Sequence, residues 1–558
     1  MLNQILLLLC LLSPTVLNSQ PLVQTSQGIL LGTTEISRNG RDYSAFLGVP
    51  YGQPPVGILR FQNPLPAAKW KGIRRAKSFG SACVHRIFGR TFGKEDCLFL
   101  NIYTPITEFQ QMYSNTSNEN LLPVMVYIHG GSFFFGSGND YKANYLLDKN
   151  IVFVTVNYRL GIFGFLSTGD SAASGNYGMK DQVLALKWIQ KNIKFFGGDP
   201  NRVTIFGLSS GASCVHLLAL SKASNGLFQQ YIMKSGTALP AWSYRDSREI
   251  YQTVKKVAKF VDCPTTSTKN LINCFRNKDP ETLLFWCDIV GIFIHVAEMA
   301  WVPTNEPKNE PNAFLTDTPQ NLMKEMKDLP FISGVVGNEA VFITNVFYAI
   351  DPAYNIMSKF MKKLFIDDAV YIRGANKNFP ANLDKFYFNS SHQSIKKRQD
   401  LDTYTNIITD GIFFYPEMKM LDQIAPRMKN PTYFYHFIYR GETSILSNLI
   451  SNENFGAGHG GDLIFYFPLT YLVVNRTDIH FTDEERMISK LMVDLWTSFA
   501  TNGKPTSKYL NPPNLWKPYN SKKNPYLQIG EESDNRKPSV KLTNNFLPER
   551  MNFWREHF

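Results

Sequence analysis

The chain has 558 residues, of which 44% are apolar, 19% charged and 14% aromatic, and its formal net charge is +12. This composition excludes a disordered polyelectrolyte, a collagen-like chain and a coiled coil, and it fits a globular protein with a large buried core. Domains usually span roughly 100–200 residues, so the length alone suggests about three or four of them.

Residues 1–19 have the features of a secretory signal peptide. They include no Asp, Glu, Lys, Arg or His, and an apolar run at residues 5–12 precedes small or polar residues. This run is too short to span a bilayer, which needs about 20 apolar residues. The segment predicts cleavage near Ser19 or Gln20 and secretion, although its start lacks the usual basic residue. A buried first strand and a membrane anchor are the alternatives. We expect no later membrane span or lipid anchor, and an extracellular or luminal protein.

The cysteines agree with an oxidising compartment. Outside the predicted signal, two close pairs would each close a small loop, Cys83 with Cys97 and Cys263 with Cys274, while two cysteines in apolar surroundings are interpreted as buried thiols, Cys214 and Cys287. The spacing alone leaves the connectivity open. Three sequons are available for glycosylation, although each can remain unused: Asn115, Asn389 and Asn475.

Short apolar runs alternate with helical patterns along the chain. Residues 124–128, 151–156 and 203–206 are rich in β-branched or aromatic side chains and predict strands, whereas the spacing of apolar residues over 181–194 predicts a helix. Buried strands separated by helices imply a parallel sheet with helices on both faces. Since there is no internal repeat or long linker, we favour one large α/β domain over residues 20–558.

The motif GLSSG at residues 207–211 lies between a predicted strand and a predicted helix at residues 212–220. A GxSxG in this setting presents a serine at a tight turn, with its hydroxyl above the sheet edge. The N-terminus of the following helix favours a developing negative charge. The motif and its context make Ser209 the candidate nucleophile.

A nucleophilic serine needs an acid and a histidine base, which follow it in that order in this kind of fold. His459 lies in a glycine-dense loop that lets an imidazole approach the serine; a flexible surface loop is the alternative. Glu339 follows a predicted buried strand at residues 330–336, where active-site loops of open α/β sheets lie; a solvated charge is the alternative. Two other histidines are interpreted as packing residues: His216 and His295.

The oxyanion hole is predicted in the loop that follows strand 124–128, with the sequence HGGSF at residues 129–133, and at the N–H of Ser210. Small residues there let backbone N–H groups point at the substrate oxygen. A phosphate-binding loop is the competing interpretation. It fails because neither GxxxxGK[ST] nor GxGxxG surrounds the segment.

Long motifs resemble those of a known family. They are GVPY at 48–51, PPVGILRF at 54–61, EDCLFLNIY at 95–103, NYRLG at 157–161 and FGGDPN at 196–201. With these, the chain resembles the type-B carboxylesterases of the cholinesterase family over nearly everything after the predicted signal. The resemblance implies an α/β-hydrolase fold, with a large, mostly parallel twisted sheet, helices on both faces and long insertions. It also implies a serine carboxylesterase that needs no metal or organic cofactor.

The resemblance implies a role for each matching residue. Ser209 is the nucleophile, Glu339 the acid and His459 the general base. The oxyanion hole comes from the backbone of four residues, the first of which supports the turn: Gly130, Gly131, Ser132 and Ser210. The implied disulfides are Cys83–Cys97 and Cys263–Cys274. Phe133 and Trp242 would line the substrate pocket and favour apolar, uncharged acyl groups, although such aromatic residues also suit a core.

The chain departs from the family pattern at several positions. Leu208 stands where the family usually has Glu, which makes a preference for cationic substrates less expected. Ser132 stands where glycine is commonest, and its Cβ would narrow the oxyanion hole. Ser210 replaces Ala but would act only through its N–H, and Ala340 replaces the Gly after the acid. The loop between Cys83 and Cys97 has no Trp, which disfavours a cholinesterase.

The sequence therefore predicts two-step hydrolysis of a small ester through an acyl-enzyme. The alternative is a non-catalytic binding protein, because neuroligins use this fold for adhesion; three triad candidates and no evident anchor favour the enzyme. Nucleic-acid binding would rest only on the net charge of +12. The basic residues are dispersed and form no recognised nucleic-acid module, so they are interpreted as a solvated surface.

Overall fold

The computed structural model describes residues 20–109, 121–292, 299–348, 378–388, 398–442, 456–468, 481–520, 522–532 and 536–558. Its strands, in chain order, are β1 Leu22–Gln24, β2 Ile29–Leu31, β3 Thr33–Ile36, β4 Asp42–Pro50, β5 Ile73–Arg75, β6 His85–Ile87, β7 Arg90–Phe92, β8 Phe99–Thr104, β9 Leu122–Ile128, β10 Val152–Val156, β11 Gly198–Leu208, β12 Gln230–Lys234, β13 Phe331–Val336, β14 Thr432–Phe437, β15 Pro525–Ile529 and β16 Val540–Asn544.

One large sheet organises the described part of the chain. Its strand order is β16-β15-β14-β13-β12-β11-β9-β10-β8-β4-β3. The strands from β15 to β10 in this order pair in parallel, whereas β16 at one edge and β8, β4 and β3 at the other pair antiparallel. This mostly parallel sheet, flanked by helices, confirms the predicted α/β-hydrolase fold class.

The α-helices, in chain order, are α1 Gly161–Phe165, α2 Tyr177–Asn192, α3 Ser210–Leu220, α4 Ser247–Phe260, α5 Thr268–Arg276, α6 Pro280–Ile292, α7 Pro319–Leu322, α8 Val341–Tyr348, α9 Phe379–Phe388, α10 Arg398–Thr409, α11 Tyr415–Ile424, α12 Asp483–Asn502 and α13 Pro548–His557. The predicted helix over 181–194 is α2, which begins earlier, directly after Asn176 at a φ of 57°. None of these helices is long and apolar enough to cross a membrane.

Both faces of the sheet are covered by apolar side chains. Along β9, Val124 and Val126 belong to the core that also includes buried residues of α2 and α3, and Met125 and Tyr127 belong to a second core with α12. Side chains alternate between the two faces of a strand, so a strand that is apolar at every position needs cover on both. This explains why the central strands are continuous apolar runs.

The cysteine predictions agree with the structure where it is described. Disulfides join Cys83 to Cys97 and Cys263 to Cys274, and the two remaining thiols are buried: Cys214 and Cys287. The predicted signal at residues 1–19, His295 and the three sequons at Asn115, Asn389 and Asn475 lie outside the described residues. The assignment of residues 20–558 to one domain stays a prediction.

Candidate active site

Ser209 lies at the sharp turn between β11 and α3. Its φ is 59°, a left-handed backbone conformation that is uncommon for residues other than glycine. The Ser209 N–H donates to the Lys234 carbonyl of β12 at 2.9 Å, and the Ser209 carbonyl accepts from the Ser213 N–H at 2.9 Å. The turn is therefore held from the sheet on one side and from the helix on the other.

Glycine is required where the turn meets neighbouring backbone. A Cβ on Gly211 would lie 2.2 Å from the carbonyl oxygen of Ile128, and a Cβ on Gly130 would lie 2.6 Å from the carbonyl oxygen of Leu208. Both distances are far below normal contact, so any side chain would push β11, α3 and the loop after β9 apart. The two glycines of the motif and loop thus bring the candidate oxyanion loop against Ser209.

Glu339 and His459 lie together at the carboxyl ends of β13 and β14. The His459 Nδ1 is 2.6 Å from the Glu339 Oε2. The Glu339 carboxylate is fully buried, and its Oε1 accepts from the Val336 N–H at 2.8 Å. The Asn338 N–H donates to the Ala457 carbonyl at 2.9 Å, which aligns the two loops. A buried carboxylate fixed in this way orients the imidazole.

The second nitrogen of His459, Nε2, is buried and has no hydrogen-bond partner among the described residues. The rings of Phe342 and Phe413 pack against the imidazole at centroid distances of 5.1 and 4.9 Å. The loop that carries His459 contacts the serine turn, because the Leu208 Cδ2 lies 3.0 Å from a Cβ placed on Gly460. The loop of His459 and the turn of Ser209 therefore pack against each other, and Nε2 makes no hydrogen bond within the described residues.

The loop after β9 has three consecutive residues at positive φ: Gly131 at 115°, Ser132 at 53° and Phe133 at 63°. Among the hydrogen bonds of the described residues, none uses the N–H of Gly131, Ser132 or Ser210 as donor. The N–H groups of Gly131 and Ser132, together with that of Ser210 at the start of α3, are therefore available to an oxygen ligand beside Ser209.

His129 holds this loop in place. Its Nδ1 lies 2.8 Å from the Gly130 carbonyl oxygen, its ring stacks on Tyr158 at 4.4 Å, and its own carbonyl accepts from the Tyr158 hydroxyl at 2.8 Å. Burial lowers the pKa of His129 to about 4, so the ring is neutral and its Nδ1–H is the donor to Gly130. The sequence marked His129 only as the residue before the glycines, and its supporting contacts were not foreseen.

The two predicted pocket aromatics differ in position. The centroids of the Trp242 and Phe413 rings lie 6.0 Å apart, and the Phe413 ring also packs against His459. Phe133 is fully buried against Phe165 at 5.3 Å and belongs to the core. Its neighbour Phe134 is 38% exposed and lines a cavity of about 350 Å³. Of these two neighbouring aromatic residues, Phe134 faces the cavity and Phe133 lies in the core.

A buried ion pair near the site was not anticipated. The Lys234 Nζ lies 2.8 Å from the Asp462 Oδ2, and both side chains are essentially inaccessible. The ammonium also lies 4.0 Å from the centroid of the Tyr466 ring. Burial lowers the pKa of Lys234, and the carboxylates of Asp462 and Glu339 oppose that shift. The pair links β12, which anchors the Ser209 N–H, to the loop of His459.

A second buried carboxyl lies behind the acid. Glu417 of α11 accepts a hydrogen bond from the Ser333 hydroxyl of β13. Burial, followed by the negative charge of Glu339, raises the pKa of Glu417 to about 8. Glu417 therefore carries a proton at neutral pH, which avoids two buried negative charges beside each other.

The chain is similar in sequence and in fold to known proteins. A model of the carboxylesterase family matches residues 19–554. A carboxylic ester hydrolase of Bombus ignitus is 34% identical over 96% of this chain and 93% of its own length. Neuroligin-3 of Mus musculus is 31% identical over 91% of this chain and 65% of its own. The crystal structure of juvenile hormone esterase from Manduca sexta, with OTFP covalently attached, superposes with a TM-score of 0.81 at 26% identity, covering 96% of this chain and 99% of that one.

Proposed function

Since this chain belongs to the carboxylesterase family and is a carboxylic-ester hydrolase, we propose that Ser209, Glu339 and His459 carry out its reaction through an acyl-enzyme. The observation that carries the proposal is the 2.6 Å contact between the buried Glu339 carboxylate and the His459 Nδ1. This contact fixes the tautomer in which Nδ1 carries the proton and Nε2 has the free lone pair of a base.

In the first step, the His459 Nε2 removes the proton from the Ser209 hydroxyl as the Ser209 Oγ attacks the ester carbonyl carbon. The imidazolium that forms is stabilised by the buried Glu339 carboxylate. His459 then returns the proton to the departing alcohol oxygen, which leaves the acyl group on Ser209. In the second step, His459 activates a water molecule, and hydrolysis of the acyl-enzyme releases the acid.

The negative charge of the tetrahedral intermediate is held by the N–H groups of Gly131, Ser132 and Ser210. Their lack of partners among the described residues supports this role. One donor of this kind is typically worth about 10²- to 10³-fold in rate. Because Ser132 acts through its backbone, its side chain alters the width of the hole and not the number of donors.

The substrates are uncharged esters. Leu208 places an apolar side chain, only 7% exposed, beside Ser209 and the loop of His459. Phe413 and Trp242 add aromatic surface on the side of His459. Position 208 has no acidic side chain that would attract a cation to the serine. A quaternary ammonium ester should therefore bind no more tightly than a neutral ester of the same size.

The roles are tested by exchanging Ser209→Ala and measuring turnover of a short-chain aryl ester. We expect kcat/KM to fall by about 10⁴-fold or more, since the remaining groups cannot form the acyl-enzyme. Ser213→Ala, one turn further along α3, is the matched control and keeps wild-type activity. A fluorophosphonate should label wild type at Ser209 and leave Ser209→Ala unlabelled. Equal turnover by wild type and Ser209→Ala would show that another residue is the nucleophile.

Secretion is part of the proposal. The predicted signal at residues 1–19 and the disulfides Cys83–Cys97 and Cys263–Cys274 support passage through an oxidising compartment. The alternative, an adhesion protein, is weaker, because Glu339 contacts His459 and the three oxyanion N–H groups have no hydrogen-bond partner among the described residues. An adhesion protein needs none of these features.

A further inference from the structure

The hairpin formed by β6 and β7 carries an exposed aromatic residue at its tip. Phe88 and Gly89 join the two strands, with φ values of 50° and 74°, as a type I′ turn requires. The first position of this turn favours Asn, Asp or Gly, and Phe88 is also 95% exposed. A phenylalanine at position 88 is thus unfavourable both for the left-handed backbone and for the exposure of its ring to water. The needs of the fold therefore do not explain why phenylalanine stands at this position.

The hairpin continues into aromatic residues on two helices. The Arg86 Nη1 lies 3.2 Å from the Asp288 Oδ2 of α6, and the Arg86 guanidinium lies 5.4 Å over the Phe285 ring. The Phe285 ring meets Trp286 at 5.2 Å, and Trp286 stacks on Phe260 of α4 at 4.5 Å. We call the joined set the tip surface: Phe88, Phe92, Phe260, Phe285 and Trp286.

Four members of the tip surface are strongly exposed. Phe88 is 95% exposed, Phe92 and Phe260 are each 47% exposed, and Phe285 is 42% exposed. Large apolar side chains that cluster on a surface mark an interaction site, whereas single exposed ones need no explanation. Ring contacts join Phe285, Trp286 and Phe260, and Arg86 joins the hairpin that carries Phe88 and Phe92 to the Phe285 ring, so the five residues lie on three adjoining elements.

The hairpin itself is basic. The hairpin segment 85–94 includes three basic side chains and no acidic one, and the end of α4 adds two exposed lysines: Arg86, Arg90, Lys94, Lys256 and Lys259. Acidic side chains follow the hairpin at Asp96 and α4 at Asp262, and α6 contributes Glu281 and Asp288, of which Asp288 is paired with Arg86. Aromatic rings enter the interfacial layer of a bilayer, and nearby cations are attracted to anionic headgroups. The partner with complementary chemistry is an anionic phospholipid surface.

The same elements border the candidate active site. The cavity of about 350 Å³ is lined by Arg86 of the hairpin, by Leu284 and Asp288 of α6, and by Ser132 and Phe134 of the candidate oxyanion loop. A protein that rests on a membrane through the tip surface would therefore hold this cavity close to the lipid. Apolar esters dissolved in the bilayer would then reach Ser132 with a short path through water.

We propose that the tip surface docks this protein onto bilayers that contain anionic phospholipid, with the Phe88 ring inserted into the interfacial layer. The docking is peripheral and reversible, since one inserted ring and a few cations give only moderate affinity. It needs no turnover, so its test stands apart from the catalytic roles proposed for Ser209, Glu339 and His459.

The test is sedimentation of the purified protein with vesicles of about 70% phosphatidylcholine and about 30% phosphatidylglycerol. The key variant is Phe88→Asn, because Asn favours the left-handed backbone of this turn and so preserves the hairpin. We expect wild type to bind and Phe88→Asn to bind at least about tenfold more weakly, the loss expected for one buried aromatic ring. The matched control is Ile36→Asn, which removes a 61% exposed side chain from β3 and should bind like wild type.

Two further measurements sharpen the result. Binding should weaken when salt rises from about 0.1 M to about 0.5 M, and it should be much weaker on vesicles of phosphatidylcholine alone. Turnover of a water-soluble ester should be the same for wild type and Phe88→Asn. Equal binding by wild type and Phe88→Asn overturns the proposal. So does a concentration-dependent dimer that Phe88→Asn abolishes, because a second copy of the chain would then be the partner.

Discussion

At the scale of single residues, the candidate site depends on which buried groups carry a proton. Glu339 and Glu417 are both buried, and the Glu417 side chain accepts from Ser333 of the strand that precedes Glu339. If both were ionised, their repulsion would act in a medium that screens charge poorly. The raised pKa of Glu417, about 8, keeps it neutral and leaves Glu339 as the negative partner of His459.

This difference predicts a pH effect on stability. The pKa of Glu417 is about 8 when folded, against about 4.3 for an ordinary glutamate. Between these values the native state holds a proton that the unfolded chain has released. The free energy of unfolding therefore falls as the pH rises, by at most about 1.4 kcal/mol per unit for one proton. Glu417→Gln removes this contribution.

Urea unfolding at several pH values from about 5 to about 8 checks the prediction. The difference in unfolding free energy between Glu417→Gln and wild type should grow with pH in favour of the variant. Glutamine keeps the shape and can still accept from the Ser333 hydroxyl, so packing changes little. A difference that stays constant across the range would mean that Glu417 is ionised in the native state.

At the scale of elements, the Lys234–Asp462 pair joins β12 to the loop of His459. Removing one partner leaves a buried charge without compensation, which typically costs about 3–5 kcal/mol. We therefore expect Lys234→Met to lower the free energy of unfolding by about that amount, and Asp462→Leu to do the same. The double variant should recover most of the loss, because an apolar pair of similar volume replaces a buried ion pair at little cost.

The double-mutant cycle is measured by denaturant unfolding, with kcat for a soluble ester followed in parallel. Since Asp462 lies three residues after His459, each single variant should also lower kcat by disturbing the position of the imidazole. Additive losses in the double variant, with no recovery, would show that Lys234 and Asp462 act independently.

The elements also show what the sequence could and could not foretell. The strands, the helix after Ser209 and the candidates Glu339 and His459 follow from local patterns, motifs and chain order. The Lys234–Asp462 pair does not, because it depends on the alignment of a strand end with a loop more than 200 residues away. Whether Phe133 lies in the pocket or in the core was left open by the sequence, because the direction of its side chain depends on the left-handed backbone at residues 131–133.

At the scale of the whole molecule, histidines buried among aromatic rings lower the stability of the protein at acidic pH. His436 of β14 lies among rings, with Phe414 at 5.7 Å, Phe546 at 5.0 Å and Tyr526 at 6.4 Å, and neither of its nitrogens has a hydrogen-bond partner among the described residues. Burial lowers the pKa of His436 to about 3 and that of His216 to about 3. With His129, three histidines are kept neutral inside the protein.

These histidines predict that the protein is sensitive to acid. Below about pH 6.5 the unfolded chain binds protons at these histidines, whereas the native state does not. The free energy of unfolding therefore falls as the pH falls. His436→Phe removes one such site and two unpaired buried nitrogens. We expect it to stabilise the protein by about 3 kcal/mol near pH 4 relative to wild type and to move the acid-unfolding midpoint to lower pH.

Tryptophan fluorescence during acid titration gives the midpoint. His436→Gln is the matched control, because it removes the titration but keeps a buried polar group. It should lower the pH of the acid-unfolding midpoint as His436→Phe does. It should not raise the free energy of unfolding at neutral pH, whereas His436→Phe should raise it by removing two unpaired buried nitrogens. An unchanged midpoint in both variants would place the acid-sensitive groups elsewhere.

The close approach of backbone around Ser209 has a consequence for how such proteins diverge. Gly130 and Gly211 are required by contacts with Leu208 and Ile128 that exist whether or not the serine reacts. A descendant that lost catalysis would still need both glycines in order to fold. A protein would therefore keep the sequence motif of an esterase after it had lost the activity. The contact between the acid and the base is better evidence of a working enzyme than the motif.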